Sequence, residues 1–494
     1  DIQTASAFSA GILLASLTDI PGNKVDKLTT AAYCIPIFSL TVLSFSYVLF
    51  YNSWTLIGLL GLAGFIFTFL GVLGFRINVI GNLGLIVASF TIGLRSTEPL
   101  QFSCALIFGT VLFFLISLLQ VYLFPNRSLR YAFSGGTKSL SELIKLKINC
   151  YNPEISLNDS YKSLNAIHID VSNKLETIRS ILLRDKRILS VHDHATKEWL
   201  AKLYLLIDLY QLLMAVDYDY KYIQETLYQG KSLPQIRQTL SVLSAEIGRL
   251  SFSKSPKQLR SFDKSRINFM IDKLKQEQKS AFGKQKELLS SVVLHFDKII
   301  EILIKITQKN LYQQTILKED INLKNFVASE FNFKKLTSNL NFNSAIFAFS
   351  IRISILLMVA GSFSYLFPEF RYASWMILTI ILVARPSYNV TKKRNHQRLV
   401  GSIVGIIISL ILLITIKNGA LLIAIAVFCL YLFLAFNKPN YLTCVIFITI
   451  TILLTQHIYD GEIENLLGSR LTFTILGAIF ALLGSLLLPI MYNR

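Results

Sequence analysis

Apolar and polar positions divide the chain into three stretches: apolar runs with short polar connectors, a long polar middle, then apolar runs again. Apolar runs of about 18 residues or more with few charges suit membrane-crossing helices. Eleven candidate spans are found, at 2–18, 31–51, 54–75, 79–94 and 100–124, then at 344–367, 372–384, 399–416, 419–436, 441–458 and 466–492. Pro125 closes the first set and Pro489 nearly closes the second, and proline breaks a helix where the chain leaves the bilayer. In the middle, apolar residues recur at helical spacing: Leu200, Leu203, Ile207, Tyr210 and Leu213 form one stripe, and Leu288, Val292, His295, Ile299 and Ile302 another. That pattern predicts a helical bundle. Its breaks are expected near Gly135-Gly136, Asn152-Pro153, 230–234 and 251–265, where Gly, Pro and polar residues cluster.

Matched from their C-terminal ends, the two sets read as a repeat, and only 344–367 lacks a counterpart. The expected fold is an all-α polytopic membrane protein. Two parallel repeats of about six transmembrane helices, the first helix lying upstream of Asp1, are separated by a cytoplasmic helical bundle. The expected domains are 1–125, 126–343 and 344–494. Connectors rich in Lys and Arg stay on the cytoplasmic side. Lys24, Lys27, Arg76, the middle stretch, 385–398 and Lys438 fall on one side; Glu98, Glu369, Asp460, Glu462 and Glu464 fall on the other. The spans 2–18 and 372–384 hold matching places and are short for a hydrocarbon core of roughly 30 Å. Short spans at matching places point to a central binding site, with tilt or a thinned bilayer as the other reading.

Composition agrees with a membrane protein: 53% of the 494 residues are hydrophobic and 16% charged. Mean hydropathy is +0.52. A net charge of +19 favours anionic lipids or an anionic substrate as partners. No nucleic-acid motif occurs. The five cysteines have no CxxC or Cys/His spacing and read as packing residues. His192-Asp193-His194 lacks a third ligand and reads as a solvated loop, so no metal is expected. No phosphate-binding loop, hydrolase elbow or zinc-protease motif occurs. The chain is therefore read as a non-enzyme without cofactors, and ATP-driven transport would need a separate subunit.

Residues 384–405 read A-R-P-S-Y-N-V-T-K-K-R-N-H-Q-R-L-V-G-S-I-V-G. They are expected to form a tight basic turn, with Lys392, Lys393, Arg394 and Arg398 on the cytoplasmic side. The pattern R-P-x-Y-x-x-T-[KR]-[KR]-R-x-x-Q-R-x-x-G-x-x-x-G resembles the signature of the fusaric-acid-resistance (FUSC) superfamily of bacterial inner-membrane proteins. Leu70 to Arg76, Asp217 to Tyr220, Ser344 to Phe347 with Arg352, and Asn440-Tyr441 resemble its YccS/YhfK-type branch. Ser387 and Phe473 depart from the pattern, which commonly has Asp or Asn at the first and Asp at the second.

Arginine inside an apolar span is costly and usually faces a cavity or a partner. Arg352, Arg385 and Arg470 lie within or at the edge of spans, and no Asp or Glu lies deep in the second set. Such cations suit a carboxylate, which guanidinium grips bidentately. Snorkelling to headgroups is the competing reading for Arg385 and Arg470. Trp375 and Tyr388 could stack on an aromatic acid or belong to an interfacial belt. Gly401 and Gly405, Gly58 with Gly61 and Gly64, and Gly477 with Gly484 suit close helix packing.

The resemblance implies an inner-membrane exporter of small organic anions, aromatic carboxylic acids above all, driven by an ion gradient such as protons. Arg352, Arg385, Arg470, Tyr388 and Trp375 would bind the substrate. A homo-oligomer and a periplasmic adaptor subunit are compatible partners, and the resemblance adds a soluble domain after the last span. Two rivals stand beside it. One is a passive anion channel, like the similar aluminium-activated malate transporters of plants. The other is a non-transporting scaffold that binds a partner through its middle.

Overall fold

A computed structural model describes residues 2–20, 22–51, 54–124, 126–183, 194–215, 220–228, 230–250, 264–307, 333–367, 372–436, 440–460 and 464–487. Among the described residues there are helices and no strands. Nine helices among the described residues are long and apolar enough to cross a membrane. The chain divides into two compact units, one of Asp1–Ile20, Lys27–Leu119 and Ser329–Arg494, the other of Pro21–Asp26 and Gln120–Ala328.

The first unit holds α1 (Ile2–Leu17), α2 (Lys24–Phe50), α3 (Thr55–Phe69), α4 (Phe75–Leu94) and α5 (Pro99–Leu123). The span expected at 54–75 does not run straight into its connector. It tightens into a 3-10 turn at Leu70–Leu73, and Gly74 at φ +138° turns the chain into α4. That backbone region favours glycine because it has no Cβ. The L-G-V-L-G-F-R stretch is thus a corner between two helices. Small residues bring helices together here. A Cβ on Gly11 would collide with the Leu106 carbonyl of α5, and one on Gly109 with the Phe8 carbonyl of α1.

The C-terminal part of this unit holds α14 (Ala345–Leu366), α15 (Ser374–Val383), α16 (Tyr388–Thr415), α17 (Gly419–Phe436), α18 (Tyr441–Asp460) and α19 (Glu464–Leu487). Helix α14 packs on α3 through Gly61, Gly64 and Gly361. Helix α15 packs on α19, where a Cβ on Gly477 would meet the Met376 carbonyl oxygen at 2.8 Å.

The expected basic turn at 385–398 is a correction. Helix α16 begins at Tyr388, so Lys392, Lys393, Arg394 and Arg398 lie on its first three turns. The connector is only Ala384 to Ser387, with Ala384 and Ser387 extended at ψ 131° and 133°. The helix starts about three turns ahead of the apolar run at 399–416, because Lys, Arg and Gln are good helix formers.

The second unit holds α6 (Arg127–Cys150), α7 (Leu157–Leu183), α8 (His194–Ala215), α9 (Tyr220–Leu227), α10 (Ser232–Leu250), α11 (Lys264–Ser280) and α12 (Gly283–Thr307). A short α13 (Phe333–Ser338) belongs to the first unit. The bundle core includes Leu143, Ile178, Leu206, Leu209, Ile236, Ile271, Phe296 and Leu303. On α8 and α12 the expected stripes face the core: Leu200, Leu203, Leu213, Leu288, Val292 and Ile299 are buried in it, and Ile207, Tyr210 and Ile302 are at its edge. His295 is only half-buried, its Nδ1 2.7 Å from the Ser291 carbonyl.

The chain breaks near Asn152 and before Ser232 as expected. Gly135-Gly136 does not break; α6 runs through it, and Gly136 gives room for Ile178 of α7. Most of 251–265, and His192-Asp193 of the histidine cluster, lie outside the described residues.

Candidate functional site

Helix α16 carries Thr391, Asn395, Arg398, Ser402, Gly405 and Ser409, separated by four, three, four, three and four residues. That spacing keeps all six on one face of a helix. All six are buried. Gly401 and Gly405 let α18 approach, against Val445 and Thr449. The Asn395 amide donates to the Ala478 carbonyl of α19 at 3.3 Å. The opposite face carries Lys392 and Lys393, both exposed.

Two groups of cations lie along this face and beside α15. The first sits where α15 ends. The Arg385 guanidinium turns back onto its own helix and donates to the Ala384 carbonyl at 2.8 Å and to the Ile381 carbonyl at 3.4 Å. A cation over the last carbonyls of a helix is favourable. Arg352 of α14 is 2% exposed, and its Nη1 lies 3.4 and 3.5 Å from the carbonyls of Arg385 and Pro386. Thr391 fastens the connector: its hydroxyl accepts the Arg385 amide at 3.1 Å and lies 3.0 Å from the Ser387 carbonyl. Arg394 lies 5.2 Å over the Tyr441 ring, and its charge reaches Arg385.

The second group lies at the other end of α15, where Trp375 is its second residue. Arg470 of α19 is 1% exposed. Its guanidinium carbon sits 4.5 Å over the Trp375 ring, and Trp375 stacks on Tyr372 at 5.0 Å. None of the three guanidinium nitrogens has a hydrogen-bond partner among the described residues. Arg398 is 3% exposed and near enough for its charge to act on Arg470. Both guanidinium groups are therefore wrapped in protein. Snorkelling, the competing reading for Arg470, needs a head that reaches lipid or water, and this one is enclosed. In α14–α19 the only Asp or Glu among the described residues are Asp460, the last residue of α18, and Glu464, the first of α19.

Of the residues expected to bind substrate, Arg352 meets Arg385 at one end of α15, and Arg470 meets Trp375 at the other. Tyr388 stands exposed at the first residue of α16 and joins neither group among the described contacts. Sequence reasoning missed Arg398 as a buried cation, and missed Thr391, Asn395 and Ser402 beside it. The four-three spacing was the signal that could have found them. No group of three or more metal-ligating side chains occurs among the described residues.

The chain has counterparts among known sequences. The chain matches the family described as FUSC-like inner membrane protein yccS over residues 29–310, more than half of its length. It belongs to that family. A second match, to the fusaric acid resistance protein-like family, covers 357–484 and so takes in Trp375, Arg385, Arg398 and Arg470.

An uncharacterized protein of Haemophilus influenzae is 24% identical over 491 residues, 95% of this chain and 66% of the relative. The inner membrane protein YccS of Escherichia coli is 23% identical over 507 residues, 97% of this chain and 68% of the relative. An uncharacterized E. coli protein, YhfK, is 28% identical over 192 residues, 39% of this chain and 26% of the relative. The chain thus spans about two thirds of the length of the first two relatives. No solved structure matches it. With nine long apolar helices among its described residues, this FUSC-family chain fits a multi-pass inner-membrane protein.

Proposed function

We propose that this FUSC-family protein exports small organic anions, aromatic carboxylic acids first among them, across the inner membrane, driven by an ion gradient. One observation carries the reading: Arg398 and Arg470 are enclosed by apolar spans that offer no carboxylate among their described residues away from the helix ends. Arginine stays charged at any physiological pH. A buried cation needs a compensating group, and a passing carboxylate supplies one. Trp375 adds an aromatic face.

The proposed layout has domains at 1–125, 126–343 and 344–494, the middle one cytoplasmic, with Lys392 and Lys393 facing inward toward anionic lipid and substrate. Two parallel repeats are supported by a shared packing. In each set the short helix, α1 or α15, packs through glycine on the last helix of that set.

The scarcity of membrane carboxylates favours a second reading, a passive anion channel, because proton coupling ordinarily uses a titratable group within the spans. Benzoate flux in proteoliposomes, with and without an imposed pH gradient, separates the two. Flux that follows the gradient supports an ion-driven exporter, and flux indifferent to it supports the channel. No flux in either condition overturns both.

A further inference from the structure

Arg398 and Arg470 pose a problem that the rest of the fold leaves unsolved. Two like charges are enclosed in protein on neighbouring helices, α16 and α19, which the Asn395 amide joins through the Ala478 carbonyl. Removing each from water costs several kcal/mol, to be offset only by good partners. The Trp375 face, 4.5 Å from the Arg470 guanidinium carbon, offsets only a part of the cost for Arg470. All three Arg470 nitrogens, the Arg398 Nε, the Asn395 carbonyl oxygen and the Ser402 and Thr449 hydroxyls have no hydrogen-bond partner among the described residues. Buried polar atoms are nearly always bonded, so several orphans on facing helices imply a ligand among them. The Arg385 guanidinium at the other end of α15 is different, because it already caps two carbonyls.

We infer that Arg398 and Arg470, with Ser402 and Thr449, form an enclosed binding site for the carboxylate of the transported acid, distinct from the Arg352–Arg385 group. The inference rests on the anion-transport reading and sharpens it: Arg398 leaves the basic entrance and becomes a binding residue. Two guanidinium groups match the two oxygens of one carboxylate, and the hydroxyls donate to the remaining lone pairs. A bound anion also removes the repulsion between the two arginines.

Trp375 provides the readout, since an anion drawn to Arg470 perturbs the ring beneath it. The full chain, with Trp54 and Trp199 replaced by Phe, is titrated with sodium benzoate and separately with sodium chloride at constant ionic strength. Tryptophan emission and flux are followed in the same liposomes. Benzoate is expected to change the Trp375 emission saturably. Arg398→Gln and Arg470→Gln are each expected to weaken that response by about tenfold or more, the order expected when a charged hydrogen bond is lost. Arg398→Lys, which keeps the charge, should retain most of it and guards against a folding failure of the Gln variant. Lys417→Gln, which removes an exposed cation of the same half, should leave it unchanged.

An unaltered benzoate response in Arg398→Gln overturns the inference, as does a response to chloride with none to benzoate. Flux in the wild type that Arg398→Gln leaves intact also overturns the inference while sparing the transport reading. Saturable benzoate binding with no flux in the wild type does the reverse: the site stands and transport falls.

Discussion

The Ser354 hydroxyl donates to the Gly61 carbonyl at 2.7 Å, across 293 residues of chain. It ties α14 to α3, and the Ser89 hydroxyl ties α4 to α15 in the same way by donating to the Ser374 carbonyl at 3.0 Å. In lipid, helix association depends on close packing and on bonds of this kind. The two apolar sets therefore share one seam, and the glycines of α3 and α4 differ in what each can tolerate.

At Gly81 an added Cβ would collide with the Phe67 backbone carbonyl, at Gly61 it meets the Met358 Cγ at 2.5 Å, and at Gly58 it meets nothing within 4 Å. Backbone cannot yield, whereas a methionine side chain can. Gly81→Ala is expected to destabilise by about 1–3 kcal/mol, as overpacking does. Gly61→Ala should cost less, and Gly58→Ala should be neutral or slightly stabilising through helix propensity. Thermal melts in detergent rank the three, and equal melting temperatures would refute the packing account.

Thr391 holds the bend between α15 and α16. Thr391→Val keeps the shape and loses the hydroxyl that accepts the Arg385 amide, at a cost of about 1–3 kcal/mol for a buried group left unbonded. Thr391→Ser keeps the bond and should restore stability. Because the connector carries the carbonyls that face Arg352, anion flux should fall in the Val variant and return in the Ser variant. Flux unchanged in both would show that the bend does not matter.

Lys392 and Lys393 lie on the exposed face of α16, where charge acts on approach rather than on binding. Lys392→Gln with Lys393→Gln should slow anion entry at low salt. At about 1 M salt, where screening falls to about 3 Å, the difference from the wild type should vanish. A deficit that persists at high salt would point to a direct contact instead.

In the bundle unit, burial pushes the Cys150 thiol above its ordinary value, and the Lys147 charge opposes that only in part. The thiolate is the reactive form, so raising the pH toward neutrality leaves the group protonated and inert. Maleimide labelling of the folded protein should spare Cys150 and reach it only after unfolding, as read by mass spectrometry. Fast labelling in the native state would contradict the burial.

How much of this was legible in the sequence depended on whether one signal or two competed. Residues 419–436 are apolar throughout, with no competing signal, and α17 has those same bounds. Residues 388–398 are polar on one face and basic on the other, so a search for apolar runs took them for a connector. Their helical period was present in Thr391, Asn395, Arg398 and Ser402 but needed the two faces to be read separately. Gly135-Gly136 looked like a break because glycine weakens isolated helices, while contact with α7 decides the matter in the fold. Arg398 was legible as a cation and illegible as a buried one, since its depth depends on where α19 lies. The grouping of Arg352 with Arg385, and of Arg470 with Trp375, depends on contacts between residues far apart in the chain.

Helix α15 has ten residues, about 15 Å at 1.5 Å per residue, where a bilayer core is roughly 30 Å. Where water reaches both ends of so short a helix, most of the membrane voltage would fall over that length. Moving one elementary charge through 100 mV is worth about 2.3 kcal/mol. An anion passing between the levels of Arg385 and Arg470 would collect much of that energy in a single step, and its movement would be electrogenic.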